Sequence, residues 1–521
     1  MSEDIHHECG LAALYWLDEP TAGGKAKSDT PAQNVAEMIP GMLMDLQTRG
    51  QLAAGLSSYD PQRAQILDTF KDVGTVSEVF RLSRQTEHQA IVQKYAGRAA
   101  IGHTRYATVG ADDARYAQPF ERHHGRLWKW FAFAFNGTLS NYTDLRDGLL
   151  RRRGYHFSLD TDTEIIMHSL AYGLRGEKKP SLQHMMEVVA GEFDGAYCIV
   201  FLDGLGRMFV ARDPRGIRPM SWGMKGRLFG AANESVALAN LGFTDIQTLE
   251  PGCMAIIENG RLRFARFAPA ARPARCFFEW VYFSNVASQI DGKSVYHARA
   301  RAGQHLAAVE DQVTDEDCIV VPVPDTAKAA ADAYAFHMGV PCMEGIIRNR
   351  YVGRTFIQPN ALRNDSARSK YTPLPSVLQD KRVFLVEDSI VRSTTLKTLV
   401  GQVLASGAKE VHVRVACPPI VSPCFYGIDM STMGELFAPP FIKGRYKGRL
   451  NKATLAAMAK ALEVNSLRYL DVDDLARAID CEADSLCLGC VSGRYPTPWG
   501  DKLMRLARRN EKQGVEGRTY E

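Results

Sequence analysis

The chain has 521 residues, of which 45% are hydrophobic and 23% are charged. These values are typical of a globular protein with two or more domains. The net charge of +4 is small for this length and gives no support for a nucleic-acid or membrane partner. No apolar run approaches the roughly 20 residues of a membrane span, and the acidic start Met1 to Asp4 is not a secretory signal. We therefore predict a cytoplasmic protein, and 11 scattered cysteines predict reduced thiols, some of them metal-bound.

Residues 9 to about 267 have the pattern of mixed α and β structure. Three short apolar segments between Gly-rich turns predict strands, at 99–102, 196–201 and 208–211. A helix is predicted over 163–172, with Asp162 as its N-cap. The stretch 268–274 contains prolines and few large apolar residues, which predicts a linker.

The chain after this linker alternates strand and helix patterns. Strands are predicted at 318–323, 383–386 and 411–416, with one helix from residue 328 and another that ends near Gly407. This alternation predicts a parallel sheet with covering helices.

Cys9, which lies between Glu8 and Gly10 at the start of an apolar segment, is a candidate nucleophile. An enzyme that uses an N-terminal cysteine needs its free α-amino group, whose pKa near about 7.7–8.0 lets it take the thiol proton. This chemistry requires removal of residues 1–8. The alternative is a frayed tail followed by a small buried hydrophobic residue.

Two adjacent carboxylates, Glu387 and Asp388, follow a predicted strand, and a turn rich in hydroxyl groups then opens a helix. Ligands of α/β sheets bind at this carboxyl edge. The helix start, with the hydroxyls of Ser393, Thr394 and Thr395, suits a phosphate monoester, and the carboxylate pair suits ribose hydroxyls or Mg²⁺. The alternative is simple helix capping.

Together these segments resemble the glutamine phosphoribosylpyrophosphate (PRPP) amidotransferases, or amidophosphoribosyltransferases, of the subgroup with a propeptide and an iron–sulfur cluster. The resemblance extends from Glu8 to Thr497, with the motifs in the family's order. It implies an α/β and α+β fold, in which an N-terminal nucleophile hydrolase αββα sandwich precedes a type I phosphoribosyltransferase parallel sheet. The implied parts are a propeptide (1–8), a glutaminase domain (9–267), a transferase domain (275–480) and a C-terminal tail with cluster ligands (481–521).

For the glutaminase site, the resemblance implies that Cys9 attacks the glutamine side-chain amide. Arg105 would hold the substrate α-carboxylate, and Asp162 its α-ammonium group. The Asn136 amide and the Gly137 backbone N–H would form the oxyanion hole. The alternatives are a surface cation for Arg105, a hairpin turn for Asn136-Gly137 and a helix cap for Asp162.

For the transferase site, the resemblance implies Mg²⁺ ligands at Thr326, Glu387 and Asp388. The loop around the 5-phosphate would run from Ser389 to Thr395. A closing loop over 349–357 would keep water away from the reaction. The implied substrate-binding residues of these loops are Ser389, Arg392, Ser393, Thr394, Thr395, Arg350 and Arg354. The implied products are phosphoribosylamine, glutamate and pyrophosphate, in the opening step of purine synthesis.

Four cysteines coincide with the family's [4Fe–4S] ligands: Cys276, Cys424, Cys487 and Cys490. Four thiolates suit either such a cluster or structural zinc, and spacing alone favours zinc. The resemblance favours the iron–sulfur cluster, acting as a structural staple. It also implies a homo-oligomer, a tetramer, with purine nucleotides as feedback inhibitors.

Three departures from the family pattern are Thr48 in place of histidine, Glu387 in place of aspartate and Ser393 in place of glycine. They keep open an enzyme that acts on a related sugar pyrophosphate. Two further alternatives are a glutaminase whose transferase half only binds nucleotide, and a non-catalytic iron–sulfur scaffold or regulator.

Overall fold

The computed structural model describes residues 9–19, 34–106, 113–159, 161–349, 371–428, 430 and 432–515. The first half contains strands β1 Gly10–Trp16, β2 Ala53–Tyr59, β3 Leu67–Val73, β4 Ala99–Arg105, β5 Phe120–Arg122, β6 Phe131–Leu139, β7 Gly195–Asp203, β8 Met208–Arg212, β9 Ser221–Lys225, β10 Leu228–Ala232, β11 Ile246–Thr248, β12 Cys253–Glu258 and β13 Arg261–Arg266. Its helices are α1 Ile39–Asp45, α2 Val76–Val79, α3 Gln85–Lys94, α4 Tyr142–Arg153, α5 Asp162–Gly173, α6 Leu182–Ala190 and α7 Ser235–Ala239. Short 3₁₀ helices lie at 35–37, 114–116 and 127–129.

These strands form two antiparallel sheets that pack face to face. The first has the order β11-β9-β10-β1-β4-β2-β3 and the second β13-β12-β8-β7-β6-β5. Because side chains alternate along a strand, Leu11 and Ala13 of β1 lie in the core between the sheets. Ala12 and Leu14 face the outer core, which includes residues of α1. Residues of α5 and α6 cover the second sheet in the same way, which gives the predicted αββα layers.

The second half contains strands β14 Arg275–Cys276, β15 Gln289–Ile290, β16 Lys293–Ser294, β17 Cys318–Pro322, β18 Ile346–Arg348, β19 Tyr371–Pro373, β20 Arg382–Glu387, β21 Glu410–Val415, β22 Ser466–Tyr469 and β23 Leu486–Cys487. Its α-helices are α8 Val295–Ala308, α9 Lys328–Met338, α10 Pro375–Leu378, α11 Thr394–Ala405, α12 Lys452–Ala461, α13 Val472–Ile479, α14 Gly489–Ser492 and α15 Pro498–Gln513. A π-helix spans Glu279–Phe283, and 3₁₀ helices lie at 439–441 and 483–485.

Four strands of this half form a parallel sheet of order β17-β20-β21-β22. Since β17 and β20 are neighbours, the loops after them meet at the carboxyl edge of the sheet. This confirms the predicted parallel sheet and places the loop residue Thr326 beside the acidic pair that ends β20. The domain limits at 267 and 275 stay predictions.

The predicted strands are confirmed, but the prediction that Asp162 caps its helix is wrong. Thr161 is the N-cap, with its side chain accepting a bond from the Glu164 N–H, and Asp162 is the first helical residue. None of the helices in the described ranges is long and apolar enough to cross a membrane.

Candidate active sites

Cys9 is half-buried and lies directly before β1, a central strand of the first sheet. Two hydrogen bonds from backbone N–H groups to side-chain oxygens fix the start of this strand. The Gly10 N–H donates to Thr104 Oγ1 at 3.2 Å, and the Leu11 N–H donates to Asn233 Oδ1 at 2.8 Å. The position of the thiol is therefore set by the middle of a sheet.

The predicted oxyanion pair lies inside β6, with Asn136 opposite Cys198 and Gly137 opposite Tyr197 of β7. This pairing excludes the hairpin-turn alternative. Asn136 Nδ2 donates at 3.0 Å to Asn233 Oδ1, the same atom that accepts the Leu11 N–H. Asn233 thus joins the nucleophile strand to the predicted oxyanion hole.

Charged groups surround the thiol of Cys9. Burial raises its pKa, as does the negative charge of Asp162. The Tyr106 backbone N–H and the cations Arg105 and Arg49 lower it. The structure therefore brings together Cys9, Arg105 and Asp162 as predicted, and it adds Arg49. Burial has the largest effect on the pKa of the thiol, so the thiol is neutral and needs a base to remove its proton.

Arg105 and Asp162 are both held within the fold. Arg105 ends β4, is 7% exposed and lies 5.3 Å from the centre of the Tyr116 ring, so it is not the surface cation of the alternative. The Asp162 carboxylate accepts backbone N–H bonds from Leu139 and Thr163, and burial raises its pKa to about 6. Its side chain therefore bonds to the end of β6, which is why Thr161 serves as the cap.

At the edge of the parallel sheet, Thr326 and Asp388 are in contact. The Thr326 hydroxyl donates to Asp388 Oδ2, and the Ser389 hydroxyl donates to Oδ1 at 2.5 Å. The Asp388 N–H donates to Glu387 Oε1 at 3.1 Å. The structure thus gathers the three predicted Mg²⁺ ligands at one point, and their hydroxyl and carboxylate oxygens are donors of the kind that Mg²⁺ prefers.

The predicted phosphate loop leads into α11, whose first residues are Thr394 and Thr395. Ser393 precedes the helix with a φ of −86°, so serine replaces the family's glycine without left-handed strain. Arg392 Nη2 donates to Glu435 Oε2 at 2.9 Å. Arg350, Arg354 and most of the predicted closing loop lie outside the described residues.

The four predicted cluster ligands line a single cavity, together with the guanidinium-bearing residue Arg218. Cys276 and Cys487 are directly paired in the short parallel ladder of β14 and β23. Burial raises the pKa of all four thiols, that of Cys487 to about 12. Among the residues the structure describes, no three His, Cys, Asp or Glu side chains converge as a ready site for a metal ion. The four thiols instead lie around the walls of the cavity.

A larger cavity of about 760 Å³ lies beside β22 and α12. It contains none of the predicted site residues. Contacts between side chains, and not cavity size, therefore locate the candidate sites.

Comparison with known proteins gives the family. A family model described as a glutamine amidotransferase domain matches residues 79–249. An amidophosphoribosyltransferase of Methanothermobacter thermautotrophicus is 35% identical over 498 residues, covering 95% of this chain and 96% of the relative. The chain belongs to the amidophosphoribosyltransferase family. The Bacillus subtilis amidophosphoribosyltransferase is 36% identical over 463 residues, covering 87% of this chain and 90% of the relative.

Solved structures of the family confirm the fold prediction. The Bacillus subtilis glutamine PRPP amidotransferase, complexed with ADP and GMP, superposes with a TM-score of 0.79 at 33% identity, covering 94% of this chain and 98% of that one. A structure described as the allosteric regulatory enzyme of purine biosynthesis has the same TM-score at 34% identity, covering 94% and 96%. The architecture is thus an N-terminal nucleophile hydrolase sandwich followed by a type I phosphoribosyltransferase sheet.

Two residues of the glutaminase site, Asn233 and Arg49, are not revealed by local sequence patterns. Asn233 follows β10 directly, so a polar residue straight after a buried strand was the available signal. Arg49 directly follows Thr48, and nothing in this local sequence indicates a partner for its side chain. Their contacts reach 222 and 230 positions along the chain, which local patterns do not reveal.

We expect Gly137→Ala to destabilise the protein by about 1–3 kcal/mol and to abolish glutaminase activity. A Cβ at this position would lie 1.9 Å from the Ala196 carbonyl oxygen, on a backbone with a φ of +142°. Thermal unfolding measures the change in stability, and glutamine hydrolysis measures the loss of activity. The control is Gly148→Ala in α4, where a Cβ meets nothing within 4 Å, so this change should stabilise by up to about 1 kcal/mol. Equal effects of the two changes would contradict the close approach at β6.

Glutamine binding should weaken as the pH falls through about 6, the raised pKa of Asp162. Below this pH the carboxyl is protonated and no longer attracts the substrate α-ammonium group. Between pH 7 and pH 5 the Kd should rise about tenfold, measured by calorimetry on the Cys9→Ala variant to avoid turnover. Asp162→Asn should bind weakly with a flat pH profile, and a pH dependence that survives this change would exclude Asp162 as its source.

Proposed function

We propose that this chain is a glutamine-dependent amidophosphoribosyltransferase that catalyses the first step of de novo purine synthesis. It hydrolyses glutamine at Cys9 and transfers the ammonia to PRPP. The products are 5-phosphoribosylamine, glutamate and pyrophosphate. The observation that carries the proposal is the joint placement of Cys9, Arg105, Asp162 and the Asn233-linked Asn136 at one site, in a chain with a second acidic site on a parallel sheet.

In the glutaminase step, Cys9 Sγ attacks the side-chain carbonyl carbon of glutamine. The oxygen gains negative charge, and Asn136 Nδ2 and the Gly137 N–H donate to it. The intermediate collapses by breaking the C–N bond, and the departing nitrogen takes the proton that the α-amino group of Cys9 received from the thiol. Water then hydrolyses the thioester, which releases glutamate and restores the thiol.

In the transfer step, the nitrogen lone pair of ammonia attacks the anomeric carbon as the bond to pyrophosphate breaks, and one proton is lost from nitrogen. Thr326, Glu387 and Asp388 would hold Mg²⁺, which neutralises charge on the leaving pyrophosphate when bound. Ser389 to Thr395 would bind the 5-phosphate through hydroxyls and helix N–H groups. Arg350 and Arg354 would close the site.

The four-cysteine cavity would hold a [4Fe–4S] cluster with a structural role. Its thiols come from the interdomain region, the transferase half and the tail, so a bound cluster would join three parts of the chain that are far apart in sequence. The buried cation Arg218 beside the cavity would offset the negative charge of four thiolates.

We further propose a cytoplasmic homo-oligomer, a tetramer, whose propeptide ends at residue 8 and whose feedback inhibitors are purine nucleotides. The support for nucleotide regulation is the Bacillus subtilis relative, whose structure contains ADP and GMP. The changes at Glu387 and Ser393 leave a second candidate open, transfer to a related sugar pyrophosphate. Comparing PRPP with other sugar pyrophosphates as acceptors separates the two.

The mature chain should begin at Cys9, because the only base proposed for the thiol is a free α-amino group. Intact-mass analysis should show loss of residues 1–8. Cys9→Ala should lower glutamine-dependent activity by about 10⁴-fold or more and leave ammonia-dependent transfer intact, whereas Cys253→Ala should change neither. Active enzyme that keeps all eight residues, or loss of both activities in Cys9→Ala, would overturn this assignment.

Anaerobically purified protein should be brown, with about four irons and four sulfides per chain. Cys490→Ser should lose most of the iron and unfold more readily, since a ligand is missing from the staple. Cys342→Ser changes an exposed thiol outside the cavity and should keep the full iron content. Colourless protein with one zinc and no sulfide would establish the zinc alternative, and a metal-free, stable protein would mean that the thiols only pack together.

A further inference from the structure

A short segment that follows the linker between the two halves contacts residues near both candidate sites. We call residues 279–284, the π-helix Glu279–Phe283 followed by Ser284, the interdomain segment. It begins three residues after Cys276. Glu279, Trp280 and Ser284 are at most 2% exposed, and buried arginines hold the segment from both sides.

From the glutaminase half, Arg49 binds the two ends of the interdomain segment. Its Nη2 donates to Glu279 Oε2 at 2.7 Å and to Ser284 Oγ at 3.1 Å, and the Ser284 hydroxyl itself donates to Glu279 Oε2 at 2.8 Å. Arg49 is also one of the cations that lower the pKa of Cys9. A shift of the segment would therefore change the charge near the nucleophile.

From the transferase half, Arg299 of α8 binds three carbonyl groups of the same segment. Its Nε donates to the Trp280 oxygen at 2.8 Å, and its Nη2 donates to the Tyr282 and Ser284 oxygens at 3.2 Å and 2.8 Å. A planar guanidinium with three such bonds fixes the orientation of the segment, which a lysine ammonium would not do.

Arg299 also faces the acidic edge of the parallel sheet. It lines one small internal cavity with Trp280, Thr326 and Asp388. Burial lowers the pKa of Arg299 to about 10, while the negative charges of Asp388 and Glu234 oppose this shift. The guanidinium therefore stays charged near neutral pH and lies in the fields of one carboxylate from each half.

We propose that Arg299 is a positioning residue that couples the two sites, because it holds the interdomain segment in a place that depends on the charge at Asp388. A ligand that binds at the acidic edge changes the attraction of the Arg299 guanidinium to Asp388 relative to its attraction to Glu234. The three bound carbonyls then shift with Arg299, and Glu279 and Ser284 shift Arg49 beside Cys9. This inference rests on the proposed function and identifies the residue through which PRPP binding would raise glutaminase turnover.

The test compares Arg299→Met, Arg299→Lys and wild type in three assays: ammonia-dependent transfer, glutamine hydrolysis without PRPP and glutamine hydrolysis with PRPP. In Arg299→Met the stimulation of hydrolysis by PRPP should fall by ~10-fold or more, while the other two rates stay within ~3-fold of wild type. Arg299→Lys keeps the charge but not the planar fork, so its stimulation should be intermediate.

The matched control is Arg301→Met, on the same helix, whose Nε donates to the Ala478 oxygen at 2.6 Å. It should keep the full stimulation. Unchanged stimulation in both Arg299 variants would overturn the proposal, and so would a parallel fall of all three rates with thermal stability in Arg299→Lys, since that indicates a structural role alone. Wild-type protein that releases no pyrophosphate with either nitrogen source would overturn the proposed function itself.

Discussion

A buried ion network between the two halves is the interaction on which the rest of the structure depends. Arg49 donates to Glu234 at 2.6 Å and to Glu279 at 2.7 Å, and Arg218 lies 3.5 Å from Glu279. All four side chains are at most 1% exposed. Two cations and two carboxylates balance each other in a position buried from solvent, and removal of one partner from such a network costs about 3–5 kcal/mol. The halves are therefore held in one relative position by groups that must all be present.

This network also determines how the sites and the four-cysteine cavity are related. Arg218 lines that cavity and donates to the Tyr426 carbonyl at 2.6 Å, while Glu234 accepts bonds from Asn285 and Ser288 of the second half. Arg218 therefore links the cysteine cavity to Glu279, and Arg49 links Glu279 to the surroundings of Cys9. Because Arg49 also lowers the pKa of Cys9, the glutaminase site is in electrostatic contact with this interface.

Much of this arrangement could be predicted from the sequence, because strand patterns and short motifs are local. The parallel sheet and the helix after Asp388 are examples, whereas the grouping of Cys9, Arg105 and Asp162 was implied by the family resemblance. The prediction that Asp162 is the N-cap of α5 was wrong because Thr161 and Asp162 are both good N-caps. The Leu139 N–H at the end of β6 binds the Asp162 carboxylate instead, and this contact comes from another element. Arg49, Asn233 and Arg299 act through partners in other elements, so no spacing along the chain reveals their roles.

The surroundings of Cys9 indicate which group can act as its base. Arg49 and Arg105 stay protonated and accept no proton. The Asp162 carboxylate accepts backbone N–H bonds, and in the proposed mechanism it must stay ionised to bind the substrate ammonium group. His103, two residues before Arg105 on β4, is fully buried, and burial lowers its pKa to about 3, too low for a general base near neutral pH. The α-amino group that the proposed cleavage before Cys9 would expose has a suitable pKa and would lie on the same residue as the thiol. Under this proposal, catalysis and maturation would depend on the same peptide bond.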